Sequence, residues 1–364
     1  MKIGLLTIEP HINYGGILQA YALKKVLEDV GNHVVIMNSG TYGRSGLKNA
    51  LSLIKPVLKN VRKPLSIKGE IHKHVLIQNT NIRSFYKKWM IPYLSESNYI
   101  NCKEDNFDCI VVGSDQVWRR GYGRRIGTYF LDFAKDWNIK RIAYAASFGL
   151  SEWQYDRDET NELRTLIKKF NLVTVREDEA KKLLQDNIGI ESCVVLDPTM
   201  LHTKQDYLAL LDEQDTKNNK EGILIYFLQF DNEKVDLIKN LINQTHRRIF
   251  SANNYNIDGS VKDCYPSIEE WLSGFANAEY VVTDSFHGTV FSILFNNNFV
   301  VLENKKGGMS RLVTLLSQLG LEERIAKTEE DVIFLLDKPI EWQQVNEKLE
   351  NLRIQSRNIL IKAL

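Results

Sequence analysis

The sequence predicts an α/β protein of two domains, each built on a parallel sheet that helices cover. The chain has 364 residues, which is more than one ordinary domain holds. Short apolar runs alternate with segments of helical periodicity, a pattern typical of parallel sheets covered by helices. The alternation occurs twice, on either side of a break near 197–222, where Asp197-Pro198 ends a strand and a polar run follows.

The first half opens with a strand and a clear amphipathic helix. In the helix predicted for 15–30, Leu23, Val26, Leu27 and Val30 form one apolar stripe. The strands predicted for this half are 3–7, 33–37, 109–112, 141–145, 172–175 and 193–196.

The second half repeats the alternation with fewer elements. Its predicted strands are 223–227, 248–251, 280–283 and 299–302, and its predicted helices are 232–244, 267–276, 287–295 and 311–319. We therefore place an N-terminal domain at 1–200 and a C-terminal domain at 201–340. The tail, 341–364, has one helical pattern, and we expect this helix to return to the first domain.

The composition excludes several classes of protein. A net charge of +1 provides no general attraction to nucleic acid, and 43% hydrophobic with 26% charged residues excludes a disordered chain. The four cysteines form no CxxC pair and have no histidine at metal-ligand spacing, so we expect reduced thiols and no metal. Neither a signal-peptide core nor a run of ~20 apolar residues is present, which predicts a cytoplasmic protein.

One segment departs from this charge balance. Between 39 and 95 the chain has eleven Lys or Arg and a single acid, Glu70. Leu47, Leu51, Ile54, Leu58 and Val61 recur there at helical spacing, which indicates a basic amphipathic helix. It either packs on the domain with a solvated basic face or contacts an anionic membrane surface or a lipid-linked phosphorylated acceptor.

In an open α/β sheet, ligands bind beyond the carboxyl ends of the strands, and polar residues follow several of the predicted strands. After the first strand, Asn13 precedes Gly15 and Gly16, which enter a helix. Backbone amides at such a start can contact an anion, although a plain tight turn has the same sequence. The sequence GxGxxG is absent, so a dinucleotide site is not predicted.

After the strand at 109–112, Ser114 and Asp115 stand where they can orient sugar hydroxyls or cap a helix. The next loop carries four arginines, which either hold a phosphate or carboxylate or form a solvated surface: Arg119, Arg120, Arg124 and Arg125.

The remaining candidates follow one strand in each half. Arg176 comes directly after the strand at 172–175, and His287 lies in the first turn of the helix after the strand at 280–283. An arginine holds a permanent positive charge, whereas a histidine can exchange protons near neutral pH. We expect the two to face each other across a cleft, with Arg176 binding an anion and His287 transferring protons.

Taken together and in order, these stretches resemble the polysaccharide pyruvyl transferase family. The resemblance covers 13 to about 300 and rests on NYGGILQAYAL, FDCIVVGSDQVW, YFLDF, RIAYAASFG, VTVRE, VLDPTML and VVTDSFHGTVFSILFNNNFV. It implies two Rossmann-like domains facing a cleft, similar to the B-type glycosyltransferase fold. It also implies transfer of the enolpyruvyl carbons of phosphoenolpyruvate to a sugar of a surface or capsular polysaccharide, or its precursor, as a ketal. The donor is then a substrate, and no cofactor is expected.

The resemblance assigns the family's essential histidine to His287 and its strand-end arginine to Arg176. In several members an arginine stands two residues before that histidine, but here the position is Ser285. Arg311 either substitutes for it or lies on a helix surface. We expect Asp115 to assist His287, and we expect a substrate-binding set of Arg176, Asn13, Gly15, Gly16, Ser114, Ser285 and Arg311.

Two other functions fit the same sequence pattern. One is a nucleotide-sugar glycosyltransferase or epimerase of the same architecture. The other is a non-catalytic carbohydrate-binding scaffold of a polysaccharide assembly complex, which the missing arginine at Ser285 favours.

Overall fold

The computed structural model describes residues 1–8, 13–38, 81, 84–95, 101–121, 125–216, 220–303 and 308–364. Within these ranges the chain forms two parallel sheets, one of seven strands and one of five. The predicted α/β fold with two parallel sheets is therefore confirmed. Most of the basic segment, at 39–80 and 82–83, lies outside the described residues, so its membrane contact stays a prediction.

The seven-stranded sheet has the order β3-β2-β1-β4-β5-β6-β7, and every pair in it is parallel. The chain starts at β1, adds two strands on one side and then crosses to β4 on the other. The carboxyl ends of β1 and β4 therefore flank a topological switch point, where ligands bind in such sheets. The bounds are β1 (Lys2–Thr7), β2 (His33–Asn38), β3 (Tyr93–Ser95), β4 (Cys109–Val112), β5 (Lys140–Ala146), β6 (Leu172–Val175) and β7 (Cys193–Val194).

The five-stranded sheet has the order β12-β11-β10-β8-β9, again with parallel pairs. Its switch point lies between β8 and β10, because β9 extends the sheet on one side and β10 begins the other. The bounds are β8 (Ile223–Tyr226), β9 (Ile249–Ser251), β10 (Tyr280–Thr283), β11 (Asn298–Leu302) and β12 (Ile325–Ala326).

Helices connect these strands, and local sequence signals set many of their ends. Asp156 and Ser267 each form a capping box at a helix start, and Gly189 and Gly320 end two helices in the left-handed conformation. The bounds are α1 (Tyr14–Asp29), α2 (Arg157–Ile167), α3 (Asp178–Ile188), α4 (Lys204–Leu208), α5 (Asn232–Thr245), α6 (Ile268–Asn277), α7 (Phe286–Leu294), α8 (Met309–Leu319), α9 (Glu329–Asp337) and α10 (Trp342–Ala363).

The two halves meet where α1 begins. The Tyr14 ring stacks on Trp271 of α6 with centroids 5.7 Å apart, and its hydroxyl donates to the carbonyl of Pro266 at 2.8 Å. A single hydrophobic cluster continues from α1 into α6, α7 and α10 and includes Leu18, Phe291 and Leu349. The start of α1 is therefore held against the second half by apolar burial and a hydrogen bond.

The C-terminal helix α10 contacts the last segment of the first half. Arg353 donates from Nε to the carbonyl of Met200 at 2.8 Å, and Ser356 Oγ accepts from the amide of Leu196 at 3.1 Å. The domain limits at 200 and 340 stay predictions. Among the described helices, none combines the length and apolar character needed to cross a membrane.

The differences from the predicted elements have physical reasons. Strands β3 and β12 have three and two residues, too few for an alternating pattern to be visible. Strand β7 ends at Val194 rather than 196 and, as an edge strand, leaves Cys193 half-buried instead of buried. The four cysteines are free thiols.

Candidate functional site

The start of α1 lies directly against the ring of His287. A Cβ added at Gly15 would lie 2.1 Å from His287 Cγ, so only glycine permits this approach. The side chain of Asn13 caps the helix and accepts from the amide of Gly16 at 3.2 Å. Gly15 therefore belongs to the site because it contacts His287. The Gly16 amide donates to the helix cap and not to an anion.

The turn after β4 holds Asp115 in an uncommon backbone conformation. Its φ is 75°, in the left-handed region, and its carbonyl accepts from the amides of Val117 at 2.8 Å and Ser147 at 3.1 Å. No α-helix follows within 113–121, so the alternative in which Ser114 or Asp115 caps a helix does not apply. The side chain of Ser114 instead lies 2.9 Å from the carbonyl of Ala145 and 3.2 Å from Asp197 Oδ2.

Arg176, directly after β6, is fixed by two carboxylates. Its Nη1 donates to Asp197 Oδ2 at 2.7 Å and its Nη2 to Asp115 Oδ1 at 3.2 Å, with only 1% of the side chain exposed. The other oxygen of Asp197 accepts from the amide and hydroxyl of Thr199 at 3.0 and 2.7 Å. The guanidinium lies 4.5 Å from the Phe286 ring centroid. Arg176 is thus rigidly oriented.

His287 stands in the first turn of α7, at the switch point of the second sheet. Ser285 caps this helix by accepting from the amide of Gly288 at 3.3 Å. The preceding Asp284 is held by Lys234 Nζ at 2.6 Å. The ring Nε2 lies 3.7 Å from Asp197 Oδ2, which is an electrostatic contact longer than a hydrogen bond.

Arg311 of α8 completes what we call the charged cluster: Asp115, Arg176, Asp197, His287 and Arg311. Its Nη1 lies 3.9 Å from Asp115 Oδ1, and its guanidinium lies 5.8 Å from the Phe286 ring. Only 12% of the side chain is exposed. Arg311 therefore lies within the cluster rather than on the helix surface, and Asp115 lies between two arginines.

The charges in the cluster stabilise the ionised forms of Asp115, Asp197 and Arg176. Burial raises the pKa of Asp115, but Arg176, His287 and Arg311 outweigh burial and hold this pKa below its usual value. Burial also raises the pKa of Asp197, and His287 and Arg176 more than reverse the effect. Burial lowers the pKa of Arg176, whereas Asp197 and Asp115 raise it to above its usual value.

Some buried polar atoms at the site lack a hydrogen-bond partner in the described part of the chain. They include the donor Nε of Arg176, the ring Nε2 of His287 and the acceptor Oε2 of Glu177. The pKa of Glu177 is raised by burial, while its Oε1 accepts from Ser147 Oγ at 2.6 Å. Because buried polar atoms are normally satisfied, we expect water or a ligand to complete the hydrogen bonding at this site.

The structure brings together most of the residues predicted from the sequence. The charged cluster contains four of them, Asp115, Arg176, His287 and Arg311. Two more contact the cluster: Gly15 lies against His287, and Ser114 contacts Asp197. By contrast, the side chains of Asn13 and Ser285 are used as helix caps. No group of three His, Cys, Asp or Glu side chains that could hold a metal occurs among the described residues.

Asp197 is the main residue that the sequence did not nominate. It appeared only as the end of a strand before Pro198, yet its buried carboxylate contacts Arg176, Ser114, Thr199 and His287. An aspartate that ends a buried strand in an α/β sheet, with a cap on the next turn, was the available signal. This signal does not distinguish an aspartate of the functional site from one that only ends a strand.

We expect Gly15→Ala to lower turnover by roughly 100-fold, because the new methyl group would displace the His287 ring and a 1 Å misplacement of a reacting group has an effect of about that size. Gly113→Ala is the matched control, since its Cβ would meet neighbours at an ordinary 3.5 Å. Steady-state kinetics on both variants tests this. Equal turnover in the two variants would show that the Gly15–His287 contact is unimportant.

Solved structures with the same architecture support the fold assignment. Arabidopsis thaliana UGT89C1 complexed with UDP-L-rhamnose matches with a TM-score of 0.53 and 11% identity, covering 99% of this chain and 98% of that one. UDP-GlcNAc 2-epimerase from Methanocaldococcus jannaschii matches with a TM-score of 0.53 and 15% identity, covering 98% and 99%. At these identities the similarity establishes the two-domain fold of B-type glycosyltransferases and related epimerases. No curated protein matches the sequence significantly.

The family comparison is more specific. The model of the polysaccharide pyruvyl transferase family matches residues 13–306, which include the start of α1, Asp115, Arg176, Asp197 and His287. This match spans most of the chain and both switch points. The chain therefore belongs to the polysaccharide pyruvyl transferase family.

Proposed function

We propose that the protein transfers the enolpyruvyl carbons of phosphoenolpyruvate to two hydroxyls of a glycan as a cyclic ketal, with release of phosphate. The observation that carries this proposal is the convergence of Arg176, Arg311 and His287 on one buried carboxylate pair. They come from both halves of the chain, and Arg176 Nε and His287 Nε2 have no hydrogen-bond partner among the described residues. We further propose that the glycan is a surface or capsular polysaccharide or its lipid-linked precursor.

The charged cluster suits a small donor with several negative charges. Phosphoenolpyruvate carries a phosphate and a carboxylate, and guanidinium groups bind both through paired hydrogen bonds. Arg311 Nη1 forms an ion pair with Asp115 Oδ1 at 3.9 Å, and an anionic oxygen of the donor would compete with this carboxylate. Arg176 is held by Asp115 and Asp197, and its Nε has no hydrogen-bond partner among the described residues. Arg311 thus provides the cation that Ser285 does not.

The reaction needs several proton transfers, and His287 is the group in the cluster suited to them. Each of the two glycan hydroxyls loses a proton, the donor methylene gains one, and the leaving phosphate takes the other. The two hydroxyl oxygens bond to C2 of the donor, and the bond from C2 to the phosphate oxygen breaks. An imidazole can give and take protons near neutral pH, whereas an arginine cannot.

Asp115 is the proposed partner of His287 in removing the hydroxyl protons. Burial raises the pKa of Asp115, but Arg176, with His287 and Arg311 also contributing, lowers this pKa overall, so the carboxylate is a weak base. A donor that draws Arg311 away and adds negative charge would raise the pKa of Asp115. Donor binding would thus increase the basicity of Asp115 when the acceptor is attacked.

A thermal-shift titration distinguishes this function from that of a nucleotide-sugar enzyme. We expect phosphoenolpyruvate to raise the melting temperature, because a ligand at 100 times its Kd stabilises a fold by about 2.7 kcal/mol. We expect UDP-glucose and UDP-GlcNAc to have no such effect. Arg311→Gln should lose the response, whereas Arg248→Gln, whose side chain is 64% exposed, should retain it.

Two results would contradict the proposal. Stabilisation by a UDP-sugar and not by phosphoenolpyruvate would favour a glycosyltransferase or epimerase. Binding of a glycan without any release of phosphate from the donor would favour a non-catalytic scaffold.

A further inference from the structure

A cavity of about 620 Å³ lies in the first half of the chain, and part of its wall is close in sequence to the charged cluster. Its wall begins at Val117, two residues after Asp115, and continues past Leu150. Gln116 connects the two places, because its Oε1 accepts from Arg119 Nη1 at 2.7 Å and packs closely against Gly149. The same short segment therefore forms one side of the charged cluster and one side of this cavity.

A fixed aromatic ring lines the cavity. Trp153 is half-buried, its ring lies 5.3 Å from Phe148 and 5.2 Å from Tyr155, and its Nε1 donates to Thr160 Oγ1 at 2.8 Å. These contacts hold the indole in one orientation with little entropy left to lose on binding. An aromatic face in a pocket is a suitable surface for the C–H face of a pyranose ring.

Exposed cations border the same cavity. The side chains of Arg120 and Arg125 are 50% and 56% exposed, and they pair with Glu159 at 2.7 Å and Asp132 at 3.2 Å. Exposed ion pairs contribute little, so a phosphate can compete for these guanidinium groups. Gln154 accepts from the amide of Arg120 at 2.9 Å, and its Nε2 has no partner among the residues that the structure describes. The Gln154 side chain therefore fixes the backbone of Arg120 at the edge of the cavity.

We propose that this cavity is the acceptor subsite and that it binds a hexose carrying a phosphate group, with the ring on Trp153 and the phosphate at Arg120. Its volume lies within the range of small-molecule sites, roughly 300–1,000 Å³. Because Val117 in its wall is two residues from Asp115, we infer that a bound sugar can present its hydroxyls to the residue proposed to deprotonate them. The assignment of the bound sugar as acceptor rests on the proposed function, whereas the binding itself does not.

Isothermal titration calorimetry without phosphoenolpyruvate tests the subsite. The probes are the α-1-phosphates of glucose, galactose and mannose, the three free hexoses, and inorganic phosphate. We expect at least one hexose 1-phosphate to bind more tightly than its free hexose and than inorganic phosphate. Arg120→Gln and Trp153→Leu should each weaken that binding by about 10-fold or more, the effect expected for a lost charge-assisted bond or a buried aromatic contact. Arg157→Gln, an exposed arginine outside the cavity, should leave it unchanged.

Arg120 is half-exposed, so its variant keeps the fold even if Trp153→Leu does not. Absence of binding to every hexose 1-phosphate, or equal affinity in wild type and Arg120→Gln, overturns the subsite. Inorganic phosphate binding as tightly as the hexose phosphates overturns the sugar assignment. Failure of phosphoenolpyruvate to stabilise the protein would contradict the proposed function and would leave this titration unaffected, so the two failures are distinguishable.

Discussion

His287→Asn is expected to lower turnover by roughly 100-fold or more while leaving phosphoenolpyruvate affinity close to that of the wild type. An Asn side chain cannot exchange protons near neutral pH, so the variant has no proton-transfer group at position 287. The two arginines proposed to hold the donor anion, Arg176 and Arg311, are untouched. Asn also keeps a planar polar side chain against Gly15, so the packing there changes less than it would with Ala. Steady-state kinetics with donor titration separates the two effects.

His33→Asn is the matched control, because His33 is exposed at the start of β2 and far from the cluster along the sheet. It should show wild-type kinetics. Near-normal turnover in His287→Asn would mean that proton transfer occurs elsewhere and that His287 only packs against α1.

Asp197→Asn is expected to lower the free energy of unfolding by about 3 kcal/mol, the lower end for breaking a buried ion pair. The change leaves the Arg176 charge buried with one carboxylate, Asp115, in place of two. Urea denaturation followed by tryptophan fluorescence measures the effect. Asp236→Asn removes an ion pair whose side chains are both 65% exposed and should have little effect. Similar stability of the two variants would show that the buried pair is not needed for the fold.

The same variant should change how stability depends on pH. The folded pKa values of Asp197 and Asp115 lie below the unfolded value of about 3.9, so the folded state binds fewer protons. Their stabilisation is complete above that unfolded pKa and is lost as the pH falls toward the folded pKa values. The stability difference between wild type and Asp197→Asn should therefore shrink below about pH 4. A difference that stays constant down to pH 3 would contradict this electrostatic account.

Local sequence signals were sufficient for most of the fold. The strand at 280–283 was predicted with its observed bounds, because an apolar β-branched run is followed directly by capping residues and a helix. Arg176 and His287 could be predicted for the same reason, since Arg176 directly follows such a strand, His287 lies in the first turn of the helix after one, and the carboxyl ends of parallel strands meet at one edge.

The rest of the site depends on contacts between residues far apart in the sequence. Arg311 lies beside Asp115 only because α8 packs over α3, where the amide of Asp178 donates to Thr314 Oγ1 at 3.4 Å. The left-handed backbone of Asp115 and the irregular pairing of β5 near Ala145 are likewise products of tertiary packing. No periodicity in the sequence encodes these features.

The central claim is that the charged cluster binds the donor, and a crystal structure of the protein with phosphoenolpyruvate tests it most directly. We predict the donor at the two switch points, with its anionic groups within hydrogen-bond distance of Arg311 and Arg176 Nε and with His287 Nε2 beside it. Phosphoenolpyruvate bound elsewhere, or a cluster that stays closed and empty at saturating donor, would contradict the account.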